Sequence, residues 1–390
     1  MLQTVAVEGY RSLRSLVLPL GRLTVVTGAN GSGKSSLYRV LRLLAATAHG
    51  GAVRALAAEG GIESVLWAGP EVVGEGVRRG RHPASGTVRT QPEAVRIGLG
   101  GDDLSYAVDF GLPRPDVTSM FQRDPEIKDE VVWAGPVLRP SALLSRRAGP
   151  AVMTREDGRW IDTGRRLARQ DSLLAEVADM ESAPEVLGVR NRVRNWRFYD
   201  SFRTDAEAPA RRAHPGTFTP VLADDGKDLA SALQTLRELG HAGELDDAVT
   251  EAFPGSRVEI VDQEGLFRMR LRQAGLVRPL DAAELSDGTL RFLLWTAALL
   301  TPRPPELFVL NEPETSLHPD LLAPLAEMVV RAASRAQVVV VTHSAVLREL
   351  LAAAAEGLDV RDVHLIKDHG ETLIDGQGLL DRPAWHWPAR

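Results

Sequence analysis

Residues 23–48 constrain the chain more than any other stretch. The apolar run Leu23-Thr24-Val25-Val26-Thr27 has the composition of a buried strand. Gly28-Ala29-Asn30-Gly31-Ser32-Gly33-Lys34-Ser35 comes next, and helical spacing runs from Ser35 to about Ala48. Three glycines allow a tight turn that aims successive N–H groups inward, and the helix behind them offers the positive end of its dipole to the same point. Strand, loop, Lys-Ser and helix in this order form a phosphate-binding loop rather than a glycine-rich helix cap. In such a loop Lys34 reaches the outer phosphates of a triphosphate, and the Ser35 hydroxyl is placed to hold a bridging magnesium ion. Lysine stands at only four positions, 34, 128, 227 and 367, among many arginines, so a compact point charge is selected here.

A chain of 390 residues can build one large bilobal domain or two ordinary ones. The absence of cysteine removes disulfides, thiolate chemistry and cysteine-ligated zinc. A net charge of −6 gives no global attraction to nucleic acid, so any such contact needs a local patch. No apolar run approaches the roughly 18–20 residues of a spanning helix, and Met1–Val5 reads as the start of a strand rather than a leader. The expected location is the cytoplasm, with no membrane partner.

Along the chain, Thr4–Val7 reads as a strand before Leu23–Thr27. From Thr87 to about Asp162 short alternating runs take over. The Gly100-Gly101-Asp102-Asp103 turn lies between two of them, and Glu156-Asp157-Gly158 precedes Arg159-Trp160-Ile161, so an antiparallel sheet is expected here. Arg165 to Asp179 returns to helical spacing. Asn195 to Arg203 interleaves aromatic and cationic residues, a pattern of nucleic-acid platforms, yet a buried strand leading into a polar loop explains the aromatics better. Residues 228–239 and 243–253 read as helices parted by Gly240, and Arg257–Ile260 and Leu266–Leu271 as a hairpin around Gln263-Glu264-Gly265.

The C-terminal third supplies the rest of the chemistry. Glu306-Leu307-Phe308-Val309-Leu310 is a short apolar strand ending in Asn311-Glu312-Pro313-Glu314, at the end where open α/β sheets bind ligands. Thr315-Ser316-Leu317-His318-Pro319 is next. A second strand, Gln337–Val341, ends in Thr342-His343-Ser344. Upstream, Leu285-Ser286-Asp287-Gly288-Thr289 opens the helix that runs through Leu300.

With these motifs in this order the chain resembles the ABC class of ATPases, and within it the SMC/RecF-like heads; the wording of 311–319 resembles the bacterial stand-alone ATPases related to the OLD family, often labelled AAA. The resemblance implies an α/β P-loop NTPase fold, an ABC-ATPase head with an antiparallel β lobe and a helical signature lobe. It also implies two lobes: 1–170, with the phosphate loop and inserted β subdomain, and 171–390, with the signature, Walker B strand, D-loop and switch histidine. ATP and magnesium are the implied cofactors. Gly28, Asn30, Gly31, Ser32, Gly33, Lys34, Ser35 and Ser36 would hold the nucleotide. Glu312 would polarise the attacking water, and His343 would contact the γ-phosphate. Ser286, Asp287 and Gly288 would reach the nucleotide of a second copy, so the site implies a homodimer closed by ATP. The family's magnesium-ligating glutamine at the lobe junction maps to Gln170, with Gln122 as competitor. Ser35 and Asn311 complete the metal residues.

Asn311 departs from the family pattern, where an aspartate precedes the glutamate. A neutral carbonyl there keeps reach to the metal shell and loses charge, so slow turnover is expected. Two functions remain open: an ATP-driven dimerising switch in a DNA-related process such as repair or phage defence, and a nucleotide-gated scaffold acting through an effector protein. A transporter subunit fits poorly, because the long insertion after the phosphate loop is foreign to that class. Double-stranded DNA, if a partner, would meet the arginines at 190, 192, 194, 197 and 203. The roughly fifty residues after His343 are too few for an OLD-like nuclease, and Asp359, Asp362, Asp368 and Asp375 read as turn residues.

Overall fold

From its N-terminus the chain forms strands β1 (Leu2–Tyr10), β2 (Leu13–Pro19) and β3 (Leu23–Gly28), then helix α1 (Lys34–Ala48). The strands β4 (Ala94–Gly101), β5 (Leu104–Gly111), β6 (Glu126–Ala134), β7 (Leu143–Ala148), β8 (Ala151–Glu156) and β9 (Arg159–Arg166) come next, then helix α2 (Pro184–Arg194). The computed structural model describes residues 1–69, 94–113, 120–177, 179–200, 202–378 and 380–389. Thr87, where the alternating pattern begins, lies outside the described residues.

Two units are distinguished. One comprises Met1–Gly21, Thr27–Trp196 and Val363–Arg390; the other comprises Arg22–Val26 and Arg197–Asp362. In the first, eight strands pair in the order β2-β1-β4-β5-β6-β7-β8-β9, with every neighbouring pair antiparallel. This is the expected antiparallel sheet. Its β8–β9 turn carries Asp157 and Gly158 at φ 47° and 78°, the left-handed pair that a tight hairpin requires.

The helix expected over Arg165–Asp179 shrinks to Leu173–Glu176, because β9 continues through Arg166 in register with Ala151. Glu130, buried on β6, anchors the start of this short helix. Its carboxylate accepts from Ser172 Oγ and the Leu173 N–H, each at 2.7 Å, and pairs with Arg147 at 3.4 Å. Burial pushes the Glu130 carboxyl up, against the pull of Arg147 and these donors.

The second unit contains β10 (Arg197–Tyr199), β11 (His214–Pro215), α3 (Leu229–Leu236), α4 (Ala242–Ala252), β12 (Arg257–Gln263), β13 (Leu266–Arg272) and β14 (Leu280–Asp281). It continues with α5 (Asp287–Leu299), β15 (Leu307–Asn311), α6 (Leu322–Arg335), β16 (Gln337–Val341) and α7 (Ala345–Ala354). Four strands pair in the order β10-β15-β16-β3, all parallel. Gly240, at φ 88°, breaks α3 from α4 as expected. Every residue of α5 from Leu290 to Leu299 is buried, with Phe292, Leu293, Leu294 and Trp295 at its centre. Each such side chain contributes about 1.5–3 kcal/mol on burial, so α5 is a fixed core element and its N-terminus is a fixed platform. Trp196, Phe198, Tyr199 and Phe202 are buried too, which settles the aromatic stretch as packing rather than an exposed platform.

Candidate functional site

The phosphate loop lies in the first unit, beyond Thr27. Gly28, Gly31 and Gly33 have φ of 150°, 79° and 112°, conformations that a side chain would strain. A Cβ on Gly33 would stand 2.3 Å from Thr372 Oγ1, and one on Gly28 would stand 2.4 Å from the Leu365 carbonyl. The C-terminal hairpin, Val360–Asp368 with Glu371–Ile374, therefore buttresses the loop. Thr372 Oγ1 donates to the Ser32 carbonyl at 2.7 Å, its N–H donates to the Ser12 carbonyl at 2.8 Å, and Thr27 Oγ1 meets His364 Nδ1 at 3.0 Å. Nothing in the sequence pattern tied this hairpin to the loop.

Helix α1 starts at Lys34 with no side-chain cap and no acidic residue in its first turn, which leaves its amino end suited to an anion. Lys34, 7% exposed, donates from Nζ to the carbonyls of Gly28 at 2.6 Å and Ala29 at 3.1 Å. Ser32 is buried and its hydroxyl has no hydrogen-bond partner among the described residues, whereas Asn30 and Gly31 are exposed, and Ser35 and Ser36 lie at the start of α1.

In the second unit three parallel strands end at candidate site residues. β15 ends in Asn311-Glu312, its neighbour β16 in Thr342-His343, and β3, on the far side of β16, leaves Val26 for the phosphate loop; Asn311 and Val26 both face Val341 in register. Glu312 takes a left-handed φ of 49° while its N–H still donates to the Val341 carbonyl at 2.7 Å, so the chain turns sharply at the C-terminal end of the strand. His343 Nδ1 lies 3.5 Å from Glu312 Oε1 and 3.4 Å from Glu314 Oε1. Glu314 is nearly buried and accepts from the Thr342 hydroxyl and, at 3.3 Å, the His343 N–H. It holds the histidine segment, a role that its place in the motif did not reveal.

Ser286 caps α5, its Oγ accepting from the Thr289 N–H at 3.2 Å, and Gly288 lies where a Cβ would come within 3.4 Å of the Ser316 carbonyl. The segment before it is held by Arg211, a residue that sequence reading passed over. Its guanidinium donates to the carbonyls of Thr204, Ala282 and Leu285 at 2.7, 3.0 and 2.8 Å and to Asp287 Oδ1 at 2.7 Å. Arg291, a turn further on, donates to the carbonyls of Thr315 at 2.7 Å and Phe202 at 3.0 Å, and burial pushes its guanidinium down from the ordinary value. Arg211→Ala is expected to cost about 2–4 kcal/mol, seen as a lower denaturation midpoint, because several carbonyls lose one shared donor. An unchanged midpoint would mean that water replaces the guanidinium without loss.

Gln170 sits exposed in the turn after β9, in the first unit, and Gln122 is exposed as well. At the ends of β10 and β15 another pair meets: Asn311 Nδ2 donates to Asp200 Oδ1 at 2.9 Å. The acceptors of this pair, the Asp200 carboxylate and the Asn311 amide oxygen, are hard oxygens of the kind magnesium takes. Of the five arginines, Arg192 is paired with Asp103 at 2.8 Å and Arg203 with Asp205 at 2.8 Å, which reduces their net field. No described helix is long and apolar enough to cross a membrane.

Residues 23–349 match the family described as "AAA domain, putative AbiEii toxin, Type IV TA system". No curated protein matches in sequence. Among solved structures, an SMC head bound to the C-winged helix domain of ScpA is similar over 97% of this chain and 98% of that one, with 13% identity and a TM-score of 0.50. The SMC head domain from Thermotoga maritima is similar over 97% and 99%, with 13% identity and a TM-score of 0.45. The first likeness establishes the fold as that of an SMC-type ABC-ATPase head, as the motif order implied.

Proposed function

The chain belongs to that AAA-domain family of nucleotide-binding ATPases, and on this premise we propose that it is an ATP-driven switch whose two copies close head to head around two nucleotides. The observation that carries the reading is the parallel order β15-β16-β3, whose ends lead into Glu312, His343 and the phosphate loop. Residues 28–36 cradle the phosphates and Lys34 balances their charge. Glu312 polarises the attacking water as general base, and His343, held by Glu314, contacts the γ-phosphate. Ser286, Asp287 and Gly288, on the amino end of the buried α5, reach the second copy's nucleotide. Magnesium, when bound, neutralises charge that develops on the phosphates. Ser35 and Asn311 are residues to hold it, and the neutral amide at 311, considered without its neighbours, supports slow turnover. The type IV TA system in the family's description supports a defence process. The nucleotide-gated scaffold stays as second reading because Asn311 favours it.

Steady-state ATP hydrolysis with magnesium at low salt, with and without double-stranded DNA, separates the two. The switch predicts slow turnover that double-stranded DNA raises, and raises less when the arginines at 190, 192, 194, 197 and 203 are reversed to glutamate. Turnover indifferent to DNA, or none above a Glu312→Gln blank, favours the scaffold and a protein effector.

A further inference from the structure

We infer that Asp200 supplies the negative charge toward magnesium that position 311 lacks, and that it does so in place of Gln170. The inference rests on the nucleotide-site reading above. β10 and β15 are parallel, with Tyr199 in register with Leu310, so residue 200 leaves its strand level with residue 311. Ligands of open α/β sheets lie beyond this end of the strands. Asp200 is exposed there, and the 2.9 Å hydrogen bond from Asn311 Nδ2 fixes the pair.

That bond decides two things. Its donor must be the Asn311 amide nitrogen, since a carboxylate only accepts. The Asn311 carbonyl oxygen is thereby turned away from Asp200 as an acceptor, the part an Asp-to-Asn change retains. The charge that such a change removes sits one hydrogen bond away on the neighbouring strand. An aspartate at 311 would face Asp200 at this distance as a second carboxylate, an arrangement like charges resist. Asn311 and Asp200 thus form one unit with a single negative charge, equivalent in charge to an aspartate at 311 with a neutral neighbour. Gln170, by contrast, lies exposed in the turn after β9.

The test is the magnesium dependence of binding of a fluorescent ATP analogue. Asp200→Asn keeps an acceptor for Asn311 and removes only the charge. It should raise the magnesium concentration at half-saturation by about 10-fold or more, the scale of outer-shell losses. Asn311→Asp combined with Asp200→Asn moves the charge to the other strand and should return that midpoint to within about 2-fold of wild type, reading charge rather than fold. Asp200→Asn behaving as wild type while Asp200→Ala weakens the response would leave Asp200 only an orienting part and overturn the inference. So would a double variant no better than Asp200→Asn. Lys34→Ala reports separately on the underlying reading. If it binds the analogue as well as wild type, the nucleotide site itself is misassigned and the inference falls with it.

Discussion

Replacing Glu312 by Gln is expected to leave ATP binding within about 2-fold of wild type and to slow hydrolysis by about 10²–10⁴-fold, the usual worth of a positioned general base. Glutamine keeps the length and the hydrogen-bonding face of the side chain and removes its basicity. Two carboxylates stand near His343, so the substitution also discriminates between them. Glu314 is nearly buried and already accepts from Thr342 and from the His343 N–H, which leaves it a poor base for water. Glu312 stands at the strand's end with its side chain 43% exposed, on a backbone turned left-handed. Analogue binding and phosphate release measured on one preparation check the prediction. An unchanged rate would move the base elsewhere.

Lys34→Ala is the second large effect. Its ammonium is almost buried and donates to the Gly28 and Ala29 carbonyls, so it is fixed over the loop rather than swinging in solvent. Truncating a buried, hydrogen-bonded charge costs about 2–5 kcal/mol of binding, or roughly 30- to 4,000-fold in affinity. Lys34→Arg should rescue little, because the planar guanidinium does not fit a cradle shaped for a point charge. The variant should remain folded by circular dichroism while analogue binding falls; retained affinity would remove Lys34 from the site.

The parts of the site legible in the sequence are those made by neighbours in the chain. The loop at 28–35 and the strand ends at 311–312 and 342–343 each come directly after an apolar run, so local spacing alone places them at the C-terminal ends of strands. The parts that stayed hidden depend on residues far apart in sequence. Thr372 supports Ser32 across 340 positions, Asn311 meets Asp200 across 111, and Arg211 holds Asp287 across 76. Thr372, Asp200 and Arg211 carry no pattern of their own. The helix expected over Arg165–Asp179 is cut back to Leu173–Glu176, and at its start the pairing of Arg166 with Ala151 on β8 outweighs local periodicity. Glu314 was visible as a letter of the motif, but only its burial beside Thr342 gives it work.

If ATP closes two copies into one unit, light scattering on Glu312→Gln detects it as a change of mass. With magnesium and saturating ATP the molar mass should double relative to the nucleotide-free protein, and ADP should leave it unchanged. A mass that stays at one chain with ATP bound, or that is already doubled without nucleotide, would contradict the switch.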